Sequence, residues 1–222
     1  GRGGMIESFG WPEFMFLVRA TGWTLVLTVV AFLFGSIVGG AFAIMRLAQS
    51  RILRNVASVY ILVIQSVPVL MVLFLSYYGL SLAGFDIPPL IAASLSLGIY
   101  VSAYLAEIWR GSIEAVPFQQ WEASSSLAMT RGQQYRYVIL PQALRISVPP
   151  TVGFLVQLVK NTSIVSVVGF VDLARAGQLI NNATFQPFQV FGSVAVIYFL
   201  ICFPLSRLSK HLEKVLHVGR TH

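Results

Sequence analysis

The sequence predicts an all-α membrane protein with five transmembrane helices, its N-terminus outside and its C-terminus cytoplasmic. Three observations lead there. Of 222 residues, 56% are hydrophobic and 10% charged, with a mean hydropathy of +0.78, whereas soluble domains carry about a quarter charged residues. Several runs approach the roughly 20 apolar residues that cross a hydrocarbon core, and helices are the open-chain way to satisfy backbone groups in lipid. Lys and Arg are also spread unevenly over the connections between these runs. The formal charge of +7 therefore reads as loop charge that orients the chain, not as a nucleic-acid surface.

The spans follow in order along one permeating domain, 1–222. The first covers about 23–45, after an interfacial stretch over 11–20 that carries Arg19. Upstream, Met5 follows a Gly/Arg tetrapeptide, read as a vector scar or an upstream extension. No basic segment leads into a short apolar stretch and a small-residue cleavage site, so the first span is expected to be retained. The second span covers about 56–80 and the third about 88–113. The fourth, about 143–171, is interrupted at Pro149 and Pro150, and the fifth covers about 188–205. Arg46, Arg51 and Arg54 lie between spans one and two; Arg131 and Arg136, flanked by Arg110 and Arg145, lie between three and four. Arg207, Lys210, Lys214 and Arg220 follow span five, whereas of the other two connections one has no Lys or Arg, only Asp86, and the other has Arg175 alone of these cations. Positive loops stay cytoplasmic, which sets the orientation of a multi-pass membrane protein, expected in the cell's inner (cytoplasmic) membrane if the family resemblance below holds. The lone Cys202, within "YFLICFP", supports neither a disulfide within the chain nor redox chemistry.

The cytoplasmic segment over 117–141, "PFQQWEASSSLAMTRGQQYRYVILP", is polar between two lipid-like neighbours. Pro117 suits a first helical position. Phe118, Trp121, Ser125, Ala128 and Met129 share a helical face with Glu122 beside it, while Ser124, Ser125 and Ser126 make the polar side small and poor in cations. Thr130 with Gln133 forms a capping box for a second short helix, which Pro141 ends or kinks. Two readings stand: a docking knob for a cytosolic partner, or an amphipathic helix on the inner leaflet. Membrane-surface helices usually have Lys/Arg-rich polar faces, which favours the knob.

In Glu122, Ala123, Ser124, then Ala128, Val138, Leu140 and Pro141, this segment resembles the EAA loop of ABC-transporter permeases, with small departures at Ser124, Ala128 and Val138. Alanine stands where that pattern has glycine, so a left-handed backbone is not expected at Ala128. "YLAEIWRGSIEAVP", "LPQALR" and "KNTSIVSVVGFVDL" extend the resemblance to the polar amino-acid uptake permeases, similar to histidine and glutamine permeases. "QSVPVLMVLF" resembles a stretch of that family in which Gln65 stands where Arg is usual. The resemblance implies a type I ABC importer permease fold. It also implies a second permease subunit, identical or related, cytosolic ATP-binding subunits docked by the loop helices, an external substrate-binding protein and an amino-acid substrate. Phe118, Trp121, Glu122, Ala123, Ser124, Ala128, Leu140 and Pro141 would then couple the chain to the ATPase.

The chain carries no P-loop, because Lys160, Lys210 and Lys214 are its only lysines and none follows a glycine. It is therefore not expected to be an enzyme; ATP hydrolysis falls to partner subunits, with no cofactor. His211, His217 and His222 all lie in the tail without a metal-ligand cluster. Polar groups at depth mark pathways by default. Gln65 lies roughly 15 Å into span two, beside Ser66, and Pro68 frees a backbone carbonyl one turn on. Lys160, Asn161, Thr162 and Ser163 interrupt span four. These groups either line a central cavity for the substrate's carboxylate and ammonium, or serve structure, with Lys160 snorkelling and Gln65 joining helices. Glu107 and Arg110 are spaced for a structural ion pair, with a gate as the alternative, and Glu114 and Glu122 are expected to face the ATPase. An ion-driven secondary transporter and a membrane scaffold recruiting a cytosolic partner remain alternative functions.

Overall fold

The computed structural model describes residues 8–217, with the His217 side chain left out. Met5, Arg220 and His222 lie outside the described residues. All regular structure among them is helical, and four helices are long and apolar enough to cross a membrane, or five when one bent pair counts as a single span. With the bent pair counted as one span, five spans are found, and four of them have other limits or shapes than expected.

α1 (Trp11–Leu47) is one helix of 37 residues, about 55 Å long. The separate interfacial stretch over 11–20 does not exist. Pro12 sits in the first turn and the Glu13 carboxylate accepts from the Gly10 N–H at 2.8 Å, so the helix starts there, and nothing breaks it before lipid depth. It ends where Ala48 turns extended, and the Arg54 guanidinium donates to the carbonyls of Ala48 at 2.8 Å and Gln49 at 2.7 Å.

The second span is broken. α2 (Arg51–Ser66) and α3 (Val69–Leu82) meet at an angle of 109°. Pro68 has no N–H, and its ring drives the preceding residue out of the helical region; Val67 is extended at φ −97°, ψ 135°. Continuous apolarity over 56–80 conceals this, since hydropathy measures composition and not direction.

α4 (Pro89–Glu114) is the centre of the bundle. It crosses α1 at near-backbone distance: a Cβ added at Gly39 would lie 2.8 Å from the Ser102 carbonyl oxygen, and one at Gly35 would lie 2.4 Å from Val101 Cγ1. From the other side, a Cβ at Gly98 would meet the Phe34 ring at 2.2 Å. Small residues substitute in lipid for a hydrophobic driving force by allowing close van der Waals packing. The buried stripe of α1 runs Leu17, Ala20, Thr24, Leu27, Ala31, Gly35, Gly39, Ala43, at helical spacing along its length.

After α5 (Phe118–Ser126) and the single turn α6 (Arg131–Gln133), a π-helical stretch over Gln134–Ile139 leads into α7 (Leu140–Asn161). Pro149 and Pro150 do not interrupt α7. Side chains bond carbonyls beside the two prolines and tie this stretch to its neighbours. Thr151 Oγ1 donates to Ser147 O at 2.6 Å and itself accepts from Trp109 Nε1 at 3.1 Å, while Ser209 Oγ donates to Pro149 O at 2.9 Å. A 3-10 helix over Thr162–Val168 ends at Gly169, whose φ of 87° is left-handed.

The connection over 172–187 contains an unforeseen helix, α8 (Leu173–Thr184). Asp172 caps it, Oδ1 accepting from Arg175 N at 2.9 Å, and the Leu173 N–H donates to the buried Thr24 Oγ1 of α1 at 2.9 Å. Leu173, Ala176 and Ile180 pack with Leu17, Ala20, Val190 and Val194. α9 (Pro187–His217) has 31 residues and extends well past the 188–205 expected of it.

Replacing Gly39 by Val should destabilise the detergent-solubilised protein by about 3 kcal/mol through overpacking against a backbone atom. Gly22→Ala, where a Cβ meets nothing within 4 Å, should be nearly neutral. Thermal unfolding of the two variants checks this. A second expectation concerns Asp172. Its Oδ2 is buried without a hydrogen-bond partner, and burial pushes its carboxyl from 3.8 up to about 6. The folded state therefore holds the proton more tightly than the unfolded one. The stability this contributes is complete below about pH 4 and lost as the pH rises through about 6. Asp172→Asn keeps an equivalent cap and should stabilise the protein at pH 7.5 by on the order of 2–3 kcal/mol. The gain should shrink towards pH 4.5 in melts run across that range.

Candidate functional site

α5 begins after Pro117, which is the capping residue and not the first helical one. Its inward side differs from the face the sequence suggests. Ser124 is buried, not on a solvated polar side, and Trp121 is half-buried, with its ring edge-on to Tyr135 at 5.0 Å. Gln134 Nε2 lies 2.9 Å from Ser124 Oγ, 2.8 Å from Ser125 Oγ and 3.3 Å from the Trp121 carbonyl. Gln142 Nε2 adds bonds to Gln120 Oε1 at 3.2 Å and Val138 O at 2.9 Å. α5 is thus clasped to the start of α7 by side-chain amides. Neither glutamine was legible in the sequence, where both look like ordinary surface residues.

The outward side of α5 is what remains for a partner. Phe118 is 69% exposed and Leu127, unforeseen, 76%. Glu122, Ala123 and Ala128 are exposed beside them. The Glu122 carboxylate has no hydrogen bond or ion pair among the described residues; only its backbone carbonyl is engaged, by Ser126 Oγ at 2.9 Å. An apolar knob with one unpaired carboxylate results.

Contrary to expectation, Ala128 does adopt a left-handed backbone, φ 57°. The end of α5 requires it. Ala128 N–H donates to Ser125 O at 2.9 Å and Met129 N–H to Ser124 O at 3.3 Å. These two bonds make a Schellman closure, whose geometry places the residue after the C-cap in the left-handed region. The capping box forms as expected: Thr130 N donates to Gln133 Oε1 at 2.8 Å, and Gln133 N to Thr130 Oγ1 at 3.4 Å. Pro141 neither ends the helix nor sharply breaks it. The Leu140 N–H reaches back five residues to Tyr135 O, and this wider π register accommodates a residue that has no N–H to offer. Leu140 and Pro141 are exposed at that junction.

The polar groups proposed for a pathway do not form one cluster in this chain. Gln65, half-buried, and Ser66, exposed, end α2, which packs on α1 and α4. Exposed Lys160 lies over α9, in a shallow depression of about 240 Å³ with Tyr198, Phe199 and Cys202. Asn161 Nδ2 donates to Tyr100 OH at 3.0 Å, Thr162 Oγ1 to Val159 O at 2.7 Å and Ser163 Oγ to Lys160 O at 2.7 Å. The last two bonds return to the helix's own backbone. Arg110 donates through Nε to Glu107 Oε2 at 3.0 Å and bonds the second Glu107 oxygen as well. It also pairs with Glu114, whose side chain stays 61% exposed. The three-residue network braces the C-terminal end of α4.

Residues 31–218 match the profile of a family described as the binding-protein-dependent transport system inner membrane component. A probable glutamine ABC transporter permease protein of Bacillus subtilis is 36% identical over 191 residues, covering 86% of this chain and 88% of its own. The L-cystine transport system permease protein of the same organism is 34% identical over 211 residues, 95% and 89% of the two chains. A glutamine transport system permease protein of Escherichia coli is 33% identical over 206 residues, 92% and 94%. Among solved structures, an amino acid ABC transporter crystallised with histidines superposes with a TM-score of 0.85 at 37% identity, covering 90% of this chain and 93% of that one. The inward-facing MetNI methionine ABC transporter superposes with a TM-score of 0.79 at 21% identity, 94% and 99%, a likeness of fold.

Because Ala128 occupies a conformation that costs an L-residue roughly 1–2 kcal/mol, Ala128→Gly should stabilise the end of α5 by about 1 kcal/mol. Hydrogen exchange over 124–129 should slow correspondingly; unchanged or faster exchange would mean that the closure carries no strain.

Proposed function

The chain belongs to the binding-protein-dependent transport system inner membrane components, and from that membership we propose that it is the permease subunit of an ATP-driven importer of polar amino acids. The observation that carries the coupling role is the outward side of α5, where Phe118, Leu127 and the unpaired Glu122 project from a helix clasped to α7. Two cytosolic ATP-binding subunits would each receive such a knob, one from this chain and one from a second permease, with a cation of the ATPase meeting Glu122 across the interface. This places α5 and the C-terminus in the cytoplasm and the chain in the inner membrane, as the positive loops suggest. Hydrolysis belongs to the partners, since this chain has no phosphate-cradling loop. An external binding protein would deliver the substrate.

Amino acids are the class common to the relatives' names and to the neighbouring transporter, and this chain has polar groups suited to them. Gln65 and Ser66 stand at the break between α2 and α3. There the backbone amides that begin α3 offer partial positive charge of the kind that receives carboxylates in broken membrane helices. Lys160, exposed in the single chain, would become pathway-lining only against a second subunit. Family membership sets aside the ion-driven transporter and the scaffold as readings.

Glu122→Ala should leave the protein in the membrane with its melting temperature unchanged, yet lower substrate-stimulated ATPase activity of the assembled complex at least tenfold. Undiminished stimulation in that variant would remove Glu122 from the coupling step.

A further inference from the structure

α8 is a short helix between two corners. Gly169, with φ 87°, precedes it and Phe185, with φ 53°, follows it, so left-handed residues stand on both sides of its twelve. It lies on α1 and α9 through Leu173, Ala176 and Ile180. Gly177 comes so near α9 that an added Cβ would stand 2.8 Å from Val194 Cγ2. Two polar contacts hold its first turn: the Leu173 N–H donates to Thr24 Oγ1 of α1, and Asp172 Oδ1 accepts from the Arg175 N–H.

Asp172 itself is fully buried, and its Oδ2 has no hydrogen-bond partner. Among the described residues no cation pairs with it. On α8, the Arg175 guanidinium turns to Gln178 Oε1 at 3.2 Å. On α1, Arg19 is exposed, about 140° round the helix from Thr24. On α7, Lys160 is exposed beside Tyr198 and Cys202 of α9. The Tyr198 hydroxyl approaches Asp172 and is itself buried without a partner, and the 3-10 helix brings no titratable group. An ionised carboxylate is thus seated where neither water nor a positive charge balances it. A carboxyl group escapes that cost by holding its proton or by leaving the site.

We propose that Asp172 is a proton-operated latch for α8: protonated, it keeps the helix docked on α1 and α9, and ionised, it releases α8 to swing about Gly169 and Phe185. The sign follows from burial, which raises the carboxyl to about 6. Docking is strongest below about pH 4 and weakens as the pH rises through about 6. The latch follows from the helical packing alone and is independent of the transport reading.

Amide hydrogen exchange of the full-length wild-type chain in neutral-detergent micelles, corrected for the intrinsic pH dependence of exchange, tests the latch. Protection over 173–184 should fall about tenfold between pH 5 and pH 8. At pH 8 these amides should exchange faster than those around Gly39 and Ser102 at the α1–α4 crossing. Asp172→Asn, which keeps an equivalent cap and cannot ionise, should show no such fall. A flat wild-type profile, or a fall that persists in Asp172→Asn, would overturn the proposal. So would α8 amides that exchange no faster than the crossing at pH 8, since the whole fold would then be opening. Protection regained at pH 8 when sodium chloride replaces choline chloride would overturn it too, because Oδ2 would then hold a metal ion and not a proton.

Discussion

The backbone-to-backbone crossing of α1 on α4 is the constraint on which the other elements depend. In lipid, helices gain little from burying apolar side chains against one another, so close approach has to come from small residues. Gly35, Gly39 and Gly98 provide it, each lacking a Cβ where one would collide with the facing helix. Beside apolar packing, a few polar bonds join other helices to this pair. Tyr60 of α2 reaches Ser102 at 2.7 Å, Asn161 of α7 reaches Tyr100, and Trp109 reaches Thr151. Thr24 of α1 receives the Leu173 amide that starts α8.

Against this rigid pair, the loop helix forms a second mechanical unit. α5 touches the bundle through Trp121, Ser124 and the amides of Gln134 and Gln142, all of which lead into α7. A force applied to Phe118 or Glu122 from outside is therefore passed to α7, the helix that carries Lys160 and Asn161 at its far end. The π-helical turn before Pro141 sits in the middle of that route. Such π geometry is rare and appears mostly as single turns inside α-helices, frequently at functional sites.

Much of this was legible beforehand. Apolar runs gave the five spans because lipid permits few alternatives to a helix, and the Thr130–Gln133 box and the Glu107–Arg110 pair were local enough to be read from spacing. What escaped the sequence depended on partners distant in the chain. Pro149 and Pro150 look like breakers, yet α7 runs through them and is held there by Ser209, sixty residues on, which bonds the Pro149 carbonyl. Ala128 looks unsuited to a left-handed turn until the bonds that close α5 impose it. The 109° turn at Pro68 left no mark in hydropathy, which is blind to direction. α8 did leave a signal, in Asp172 as a cap before Leu173, Ala176 and Ile180 at helical spacing.

The elbow between α2 and α3 has a kinematic consequence. The final backbone bond of α2 runs from Val67 to Val63, and α3 opens with Met71 and Val72 bonding to Pro68, so none straddles the corner. Swinging one arm relative to the other thus rotates torsions at Val67 without rupturing any amide–carbonyl pair inside the bilayer, where rupture is most costly. The two arms form a lever whose fulcrum is already free of bonds, and its resistance to motion comes only from the side chains packed around it.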